Sequence, residues 1–306
     1  MEVAEIQAKL KKFHITPTKS KGQNFLLDEK VIEEMITAAQ VNKDDLVIEI
    51  GPGLGILSEQ LANSAKQVLL VELDGQIATI LKKEFLPKYE NVTLIEGDVL
   101  SSNTFHQMEA WLKKHAGESV TGPGERDRKN QETEPRQLDH TYKIVANIPY
   151  QITSKILRQF LETHPKPKSL TIMVQKEVAE RITAPPGKMS LISLAVQAYS
   201  QVSIITQVPA KSFFPQPKVD AAVIKADLTK PNEKFQRLPE QQKELFWRLA
   251  KLGFSSRRKQ LQNNLKSLLK DDQVTPAFDK LKLQPTVRAQ ELSVDQWSDL
   301  TALLNE

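Results

Sequence analysis

Short apolar runs alternate with helical periodicity through the first three quarters of the chain. Leu46 to Ile50, Val68 to Glu72, Val92 to Ile95, Lys143 to Asn147 and Leu170 to Val174 have the length and β-branched content of buried strands. Between them, Ile56 to Asn63, Gln76 to Phe85 and Thr153 to Leu161 read as helices. Such alternation predicts a parallel sheet with helices on both faces, an α/β fold. Val202 to Val208 and Val219 to Leu228 read as two more strands with little helix between them, an expected antiparallel hairpin at a sheet edge. After Lys230-Pro231-Asn232 the alternation stops, and residues 239–306 carry only helical periodicity. The expected division is therefore an α/β domain over 1–230 and a smaller all-helical domain over 231–306.

The segment 113–141 breaks the pattern. It contains Gly122-Pro123-Gly124, a near-balanced mix of charges and almost no apolar residue, so it is expected to be a mobile surface loop. No internal repeat is visible.

Composition narrows the class. With 306 residues and 40% hydrophobic content the chain can bury a full core. No run approaches the roughly 18 apolar residues needed to span a membrane, and the first 25 residues lack a signal-peptide pattern, so a cytoplasmic protein is expected. Cysteine is absent, which excludes disulfides, Cys–zinc sites and thiol nucleophiles. The five histidines are scattered without metal-ligand spacing, so no metal is expected. Net charge is only +4, but the basic residues cluster. Lys9, Lys11, Lys12, Lys19 and Lys21 crowd a basic N-terminal arm, 1–22. Arg248, Lys251, Arg257, Arg258, Lys259, Lys266 and Lys270 occupy a stretch, 245–270, with no Asp or Glu. Two basic zones in a near-neutral protein point to a polyanion such as nucleic acid, against a plain solvated helix face.

Candidate chemistry sits at strand ends. Asn147-Ile148-Pro149-Tyr150 follows a strand and sets an amide oxygen, a rigid carbonyl and an aromatic face side by side. That suits a flat heterocycle with an exocyclic amine, such as adenine: the amine donates to Asn147 and to a turn carbonyl while Tyr150 stacks on the ring. Pro149 fixes its own φ and keeps Ile148 out of the helical region. Taken alone, the same four residues also serve as an ordinary β-turn. Glu49-Ile50-Gly51-Pro52-Gly53-Leu54-Gly55 lies between the first strand and the first helix, where glycines let the backbone approach a ligand. Its spacing is not the dinucleotide G-x-G-x-x-G, and Glu49 suits an amino group rather than a pyrophosphate. Glu72 ends the second strand, 21 residues after Gly51, where nucleotide sites keep a carboxylate for ribose hydroxyls. Asp98, after the third strand, offers a further acceptor for an adenine amine. Together these positions fit S-adenosylmethionine, a nucleoside joined to an amino acid without phosphate.

With those residues in view, the chain resembles the ribosomal small-subunit RNA adenine dimethyltransferase family. The likeness covers nearly the whole sequence: Gly22-Gln23-Asn24-Phe25-Leu26, Glu49 to Gly53, Val71-Glu72-Leu73-Asp74, Gly97-Asp98-Val99-Leu100 and Asn147 to Tyr150. It continues through Gln175-Lys176-Glu177-Val178, Phe213 to Asp220, Arg257 to Leu261 and Arg288 to Glu291. The resemblance implies a Rossmann-like S-adenosylmethionine methyltransferase domain with a helical RNA-binding domain. It also implies dimethylation of two adjacent adenines in the hairpin near the 3′ end of small-subunit rRNA, with a role in small-subunit biogenesis. It assigns Asn24, Leu26, Gly51, Gly53, Glu72, Asp98 and Asn147 to the cofactor. It assigns Asn147, Pro149, Tyr150 and Phe213 to catalysis, Phe213 sandwiching the base against Tyr150. Arg257, Arg258 and Lys259 are assigned to RNA. The implied partner is small-subunit rRNA or an immature small subunit, and a monomer is expected.

Three departures stand out. Ile148 replaces a more usual Leu and also occurs in large-subunit rRNA methylases that confer macrolide resistance. Lys188-Met189-Ser190-Leu191 lacks the usual preceding Tyr-Gly. The loop 113–141 is long. Rival readings are the large-subunit methylase, a non-catalytic ribosome-assembly factor and a nicotinamide dehydrogenase. Gln175 to Val178 with the Arg257–Lys259 segment disfavours the first, the intact Asn147, Tyr150, Glu72 and Asp98 the second, and the glycine spacing with the Asn147 turn the third.

Overall fold

The computed structural model describes residues 3–13, 24–116, 139–266, 268–269 and 271–304. Lys19, Lys21, Gly22, Gln23, Lys270 and most of the expected polar loop, residues 117–138, lie outside the described residues.

The first helix, α1 (Val3–Lys12), buries Ile6 and Leu10, so the basic terminus begins as a docked helix rather than a free arm. There follow β1 (Phe25–Leu26), α2 (Glu29–Ala39), β2 (Leu46–Ile50), α3 (Ile56–Ser64), β3 (Gln67–Glu72) and α4 (Gly75–Ile80). The chain after α4 continues as a π-helical turn, Leu81–Phe85. Next come β4 (Val92–Glu96), α5 (Ser102–His115), β5 (Tyr142–Asn147), α6 (Thr153–Glu162) and β6 (Ser169–Gln175). Lys113, Lys114 and His115, expected at the start of the polar loop, are instead the last turn of α5, where cations complement the helix C-terminus.

Then α7 (Lys176–Ile182), α8 (Leu191–Tyr199), β7 (Gln201–Val208), β8 (Phe213–Phe214) and β9 (Ala221–Asp227) precede the helical remainder. That remainder is α9 (Glu233–Arg237), α10 (Glu240–Gly253), α11 (Leu261–Leu265), α12 (Asp271–Lys280) and α13 (Val294–Leu303).

Seven strands form one sheet in the order β4-β3-β2-β5-β6-β9-β7. The five from β4 to β6 are parallel and β9 is antiparallel to β6. The expected edge hairpin is thus present as neighbours, with β9 inside and β7 at the edge. Every residue of β2 is buried, as a parallel strand covered on both faces requires. Helix α6 turns Ile156, Leu157, Phe160 and Leu161 inward while Arg158 and Glu162 stay outside, the amphipathic pattern read from the sequence.

By contacts the chain divides into two compact units, 1–176 with 203–229, and 177–202 with 230–306. The single cut expected near 230 is one of three crossings. Residues 177–202 join the C-terminal helices because Met189, Leu194 and Ala198 share an apolar cluster with Phe235, Phe246, Leu249 and Trp297. α8 and α13 are each started by a capping box, at Ser190 with Ser193 and at Ser293 with Gln296.

Candidate active site at the sheet switch point

The strand order reverses between β2 and β5. The chain runs outward from β2 to β3 and β4, then returns to β5 on the other side. Loops leaving two such strands diverge in opposite directions and open a crevice beyond their carboxyl ends. Here the crevice is a cavity of about 430 Å³, lined by the turns that follow β2, β3, β4 and β5 and by Asn24 to Leu26.

The turn after β2 is made possible by glycine. Gly51 and Gly53 have φ of 69° and 56°, a region that L side chains rarely adopt. A Cβ on Gly53 would stand 3.2 Å from the Phe25 ring, and one on Gly51 would face Pro149 Cδ at 3.8 Å. The glycine turn is therefore clamped between β1 and the Asn147 turn. Among the described residues no Lys, Arg or His lines the cavity, whereas Glu49, Glu72, Asp74 and Asp98 do. This lining repels phosphates and favours a cationic nucleoside.

Glu49 is 1% exposed. Burial, with some repulsion from Glu72, pushes its carboxyl up to about 8, against a partial offset from the neighbouring Ser58 hydroxyl. Neither Glu49 Oε2 nor Ser58 Oγ closes a hydrogen bond of ordinary geometry. Glu72 is raised to about 6, chiefly by burial, while backbone N–H groups including that of Asp74 hold it down. The Asp74 N–H donates to Glu72 Oε1 at 2.8 Å. Asp98 is exposed at the cavity rim, and its Oδ1 accepts from the Leu100 N–H at 2.9 Å.

The turn after β5 is organised by its first residue. Asn147 Nδ2 donates to the Asn24 carbonyl at 3.2 Å. Because the amide is planar, anchoring Nδ2 there turns Oδ1 the opposite way as an acceptor. The Pro149 carbonyl accepts from the Ile152 N–H at 3.2 Å, closing a 3-10 turn at Tyr150–Ile152. With the Pro149 carbonyl so engaged, the Ile148 carbonyl is the better placed of the turn's two carbonyls to accept from an amine. Tyr150 packs against the core, and its hydroxyl is buried without a hydrogen-bond partner. Desolvation pushes that phenol up to about 12.

Of the expected site residues, Asn24, Leu26, Gly51, Gly53, Glu72, Asp98, Asn147, Pro149 and Tyr150 all line this one cavity. Phe213 does not. It pairs with Leu26 across the β1–β8 ribbon, but its ring is 3% exposed within the core. Leu73 was not anticipated; it lines the cavity at 70% exposure, between two buried carboxylates. An apolar residue just past a strand end, flanked by acids, is the signal that marks it.

The expected RNA residues lie in the second unit. Arg257, Arg258 and Lys259 are exposed on the turn between α10 and α11. Asn264 shapes that turn by donating to the carbonyls of Gly253 at 2.6 Å and Ser256 at 3.0 Å. Arg257 Nη2 also donates to the Met189 carbonyl at 3.2 Å. At the N-terminus, Lys12 and Lys9 both engage Glu84, at 2.6 and 3.6 Å. Among the described residues no cluster of His, Cys, Asp or Glu could hold a metal, and no helix is long and apolar enough to cross a membrane.

The orphaned Glu49 carboxyl, the glycine cradle and the four acidic groups set in an otherwise largely apolar lining fit S-adenosylmethionine, with its ammonium, ribose and adenine. Comparison with known proteins agrees. The family model for ribosomal RNA adenine dimethylase matches residues 16–306. The chain is 38% identical over 294 residues to ribosomal RNA small subunit methyltransferase A of Clostridium botulinum, covering 95% of this chain and 94% of that one. It is 34% identical over 306 residues to the protein of the same name from Dehalococcoides mccartyi, covering 99% and 94%.

Among solved structures, a dimethyladenosine transferase from Plasmodium falciparum aligns with a TM-score of 0.65 at 23% identity, covering 90% of this chain and 95% of that one. The 23S rRNA methyltransferase ErmE aligns at 0.66 and 24%, covering 92% and 100%. At those identities the two structures speak to the fold. The chain belongs to the ribosomal RNA adenine dimethylase family and is an S-adenosylmethionine-dependent rRNA adenine dimethyltransferase.

Proposed function

We propose that the enzyme dimethylates two adjacent adenines in the hairpin near the 3′ end of small-subunit rRNA, during small-subunit assembly in the cytoplasm. The observation that carries this reading is the amide of Asn147, pinned by Asn24 so that an acceptor stands at the switch point beside the glycine cradle. The names of the relatives direct the choice to the small subunit.

When bound, S-adenosylmethionine supplies an electrophilic methyl group. The protein's part is positioning. Asn24, Leu26, Gly51, Gly53, Glu72 and Asp98 hold the cofactor, Glu72 toward ribose hydroxyls and Asp98 toward the adenine amine. The amine of the target adenine is a poor nucleophile because its lone pair is delocalised into the ring. Asn147 Oδ1 and the Ile148 carbonyl accept its two N–H bonds and favour a pyramidal nitrogen with the lone pair free. No strong general base is required, since the alkylated amine is acidic while charged. Orientation supplies most of the rate. Pro149 keeps the turn rigid, and Tyr150 stacks on the base, worth roughly 1–3 kcal/mol. As the second face of the sandwich we propose Phe213, whose ring, buried opposite Leu26 and outside the cavity, has to turn toward the base.

RNA phosphates contact Arg257, Arg258 and Lys259 on the helical domain, 231–306, and the N-terminal lysines of the methyltransferase domain, 1–230. Such contacts give affinity that falls steeply with salt. We take the working form to be a monomer. The test is incubation with labelled S-adenosylmethionine and either unmethylated small subunits or large-subunit rRNA, followed by mapping of the modified base. Two adjacent dimethyladenosines in the small subunit are expected. Label in large-subunit RNA alone would overturn the assignment in favour of the resistance-methylase reading.

A further inference from the structure

The pocket holds one group that ribose, adenine and target base leave unused. Glu49 lies on β2 beneath the glycine turn, 1% exposed, with Oε2 lacking any hydrogen-bond partner. Among the described residues its surroundings offer no counter-charge. From α3 the nearby group is the neutral Ser58 hydroxyl, itself unpartnered. From β3 come the like charges of Glu72 and Asp74, from the β4 turn Asp98, and from the β5 turn the Tyr150 phenol. The basic side chain on the adjacent stretch of β5, Lys143, shares a face with Val47 in register. It is committed to Asp45 Oδ2 at 2.7 Å and the Gln40 carbonyl at 2.6 Å. A carboxyl so placed has only the neutral Ser58 hydroxyl to offset its charge, too little to outweigh burial, and it takes the neutral form in the open cavity.

We propose that Glu49 is a carboxylic acid in the ligand-free enzyme, and that docking of the cofactor's ammonium group expels the Glu49 proton to solvent. Cofactor binding is then a proton-releasing reaction. The balance is simple: a neutral carboxyl and a cationic ammonium become an ion pair plus one free proton, with no covalent bond formed to the cofactor. The inference rests on S-adenosylmethionine as the occupant.

The consequence is a pH-dependent affinity with a definite sign. Glu49, raised to about 8, is protonated at pH 7, so binding releases close to one proton there. Glu72, raised to about 6, is mostly ionised at pH 7 and adds about a tenth of a proton at most. Affinity should tighten about tenfold between pH 6 and pH 7. Above about pH 8 the ammonium of the ligand itself deprotonates, binding begins to take up a proton, and affinity passes its maximum.

The experiment is calorimetric titration of the full-length enzyme at pH 7 in two buffers of different ionisation enthalpy. The ligands are S-adenosylmethionine, S-adenosylhomocysteine and 5′-methylthioadenosine. The first two share the ammonium group and should each release nearly one proton. Methylthioadenosine keeps the adenine and ribose but lacks the amino acid, and should release almost none. Glu49→Gln should bind S-adenosylmethionine with almost no proton release and lose the tenfold change between pH 6 and pH 7. Equal proton release by methylthioadenosine, or an undiminished release in Glu49→Gln, would overturn the proposal. The wild-type comparison of ligands stands even should the variant fail to fold. Absence of any S-adenosylmethionine binding would instead overturn the cofactor reading beneath it.

Discussion

Asn147 reaches across the cavity mouth to Asn24, its Nδ2 donating to the Asn24 carbonyl at 3.2 Å. The contact orients the side chain on which amine recognition depends. Asn147→Ala should therefore lower methylation by about 10²–10³-fold or more, the scale of losing one preorganised transition-state hydrogen bond, with cofactor affinity reduced only a few-fold. Asn147→Asp should fare no better, because a carboxylate cannot donate to the Asn24 carbonyl and would repel it. Single-turnover methylation beside calorimetric cofactor binding separates the two effects. Near-normal product formation by either variant would sink the assignment.

Gly53 makes a second prediction. Its φ of 56° disfavours any Cβ, and a Cβ would press on Phe25 at 3.2 Å. Gly53→Ala should cost about 1–2 kcal/mol of stability, read from urea unfolding. It should also weaken cofactor binding, since Phe25 must shift within the cavity wall. An unchanged unfolding midpoint would show that the turn tolerates the side chain.

The ligand-free protein should also respond to pH in an unusual direction. A carboxyl whose folded pKa is raised binds its proton more tightly in the native state, so its contribution to stability is full at low pH and is lost as pH rises. For Glu49 the window runs from 4.5, its unfolded value, to about 8. Glu49→Gln should flatten this part of the wild-type stability curve. A slope identical in the two proteins would place the effect elsewhere.

Lys143 and Asp45 form an ion pair whose side chains are 11% and 6% exposed. Removing one partner leaves the other charge buried. Lys143→Met should cost about 3–5 kcal/mol, and adding Asp45→Asn should recover a large part of it. Thermal unfolding of the single and double variants decides the matter, additive losses being the contrary result.

For the RNA, Arg258→Glu should weaken binding and reduce the salt slope by about one to two counterions, with cofactor binding untouched. Arg257→Glu should do the same and additionally loosen the segment around Met189, whose carbonyl Arg257 holds at 3.2 Å. RNA affinity indifferent to both would remove this turn from the interface.

Much of this was legible in the sequence, for identifiable reasons. Parallel strands buried on both faces are mostly apolar, so β2, β3 and β5 stand out as runs even with Glu49 and Lys143 among them. Ligand sites at their carboxyl ends need glycine or short polar residues, so Gly51, Glu72, Asp98 and Asn147 announce themselves. What stayed hidden depends on pairings distant in sequence. Nothing local shows that residues 177–202 pack with the C-terminal helices, since an apolar face does not name its partner. Phe213 is given a stacking role by its match to the family, and only its register opposite Leu26 shows that it is buried. Lys12 reads as a free cation, but Glu84, 72 residues away, occupies it.

The short ribbon of β1 and β8 carries a consequence for how the protein is made. Asn24, which orients Asn147, borders a strand whose pairing partner is Phe213–Phe214. During synthesis the five parallel strands emerge first, and the ribbon can close only after residue 214 has left the ribosome. The nascent enzyme thus has its five parallel strands before it has a finished mouth, and competence arrives late, with nearly all of the methyltransferase domain already translated.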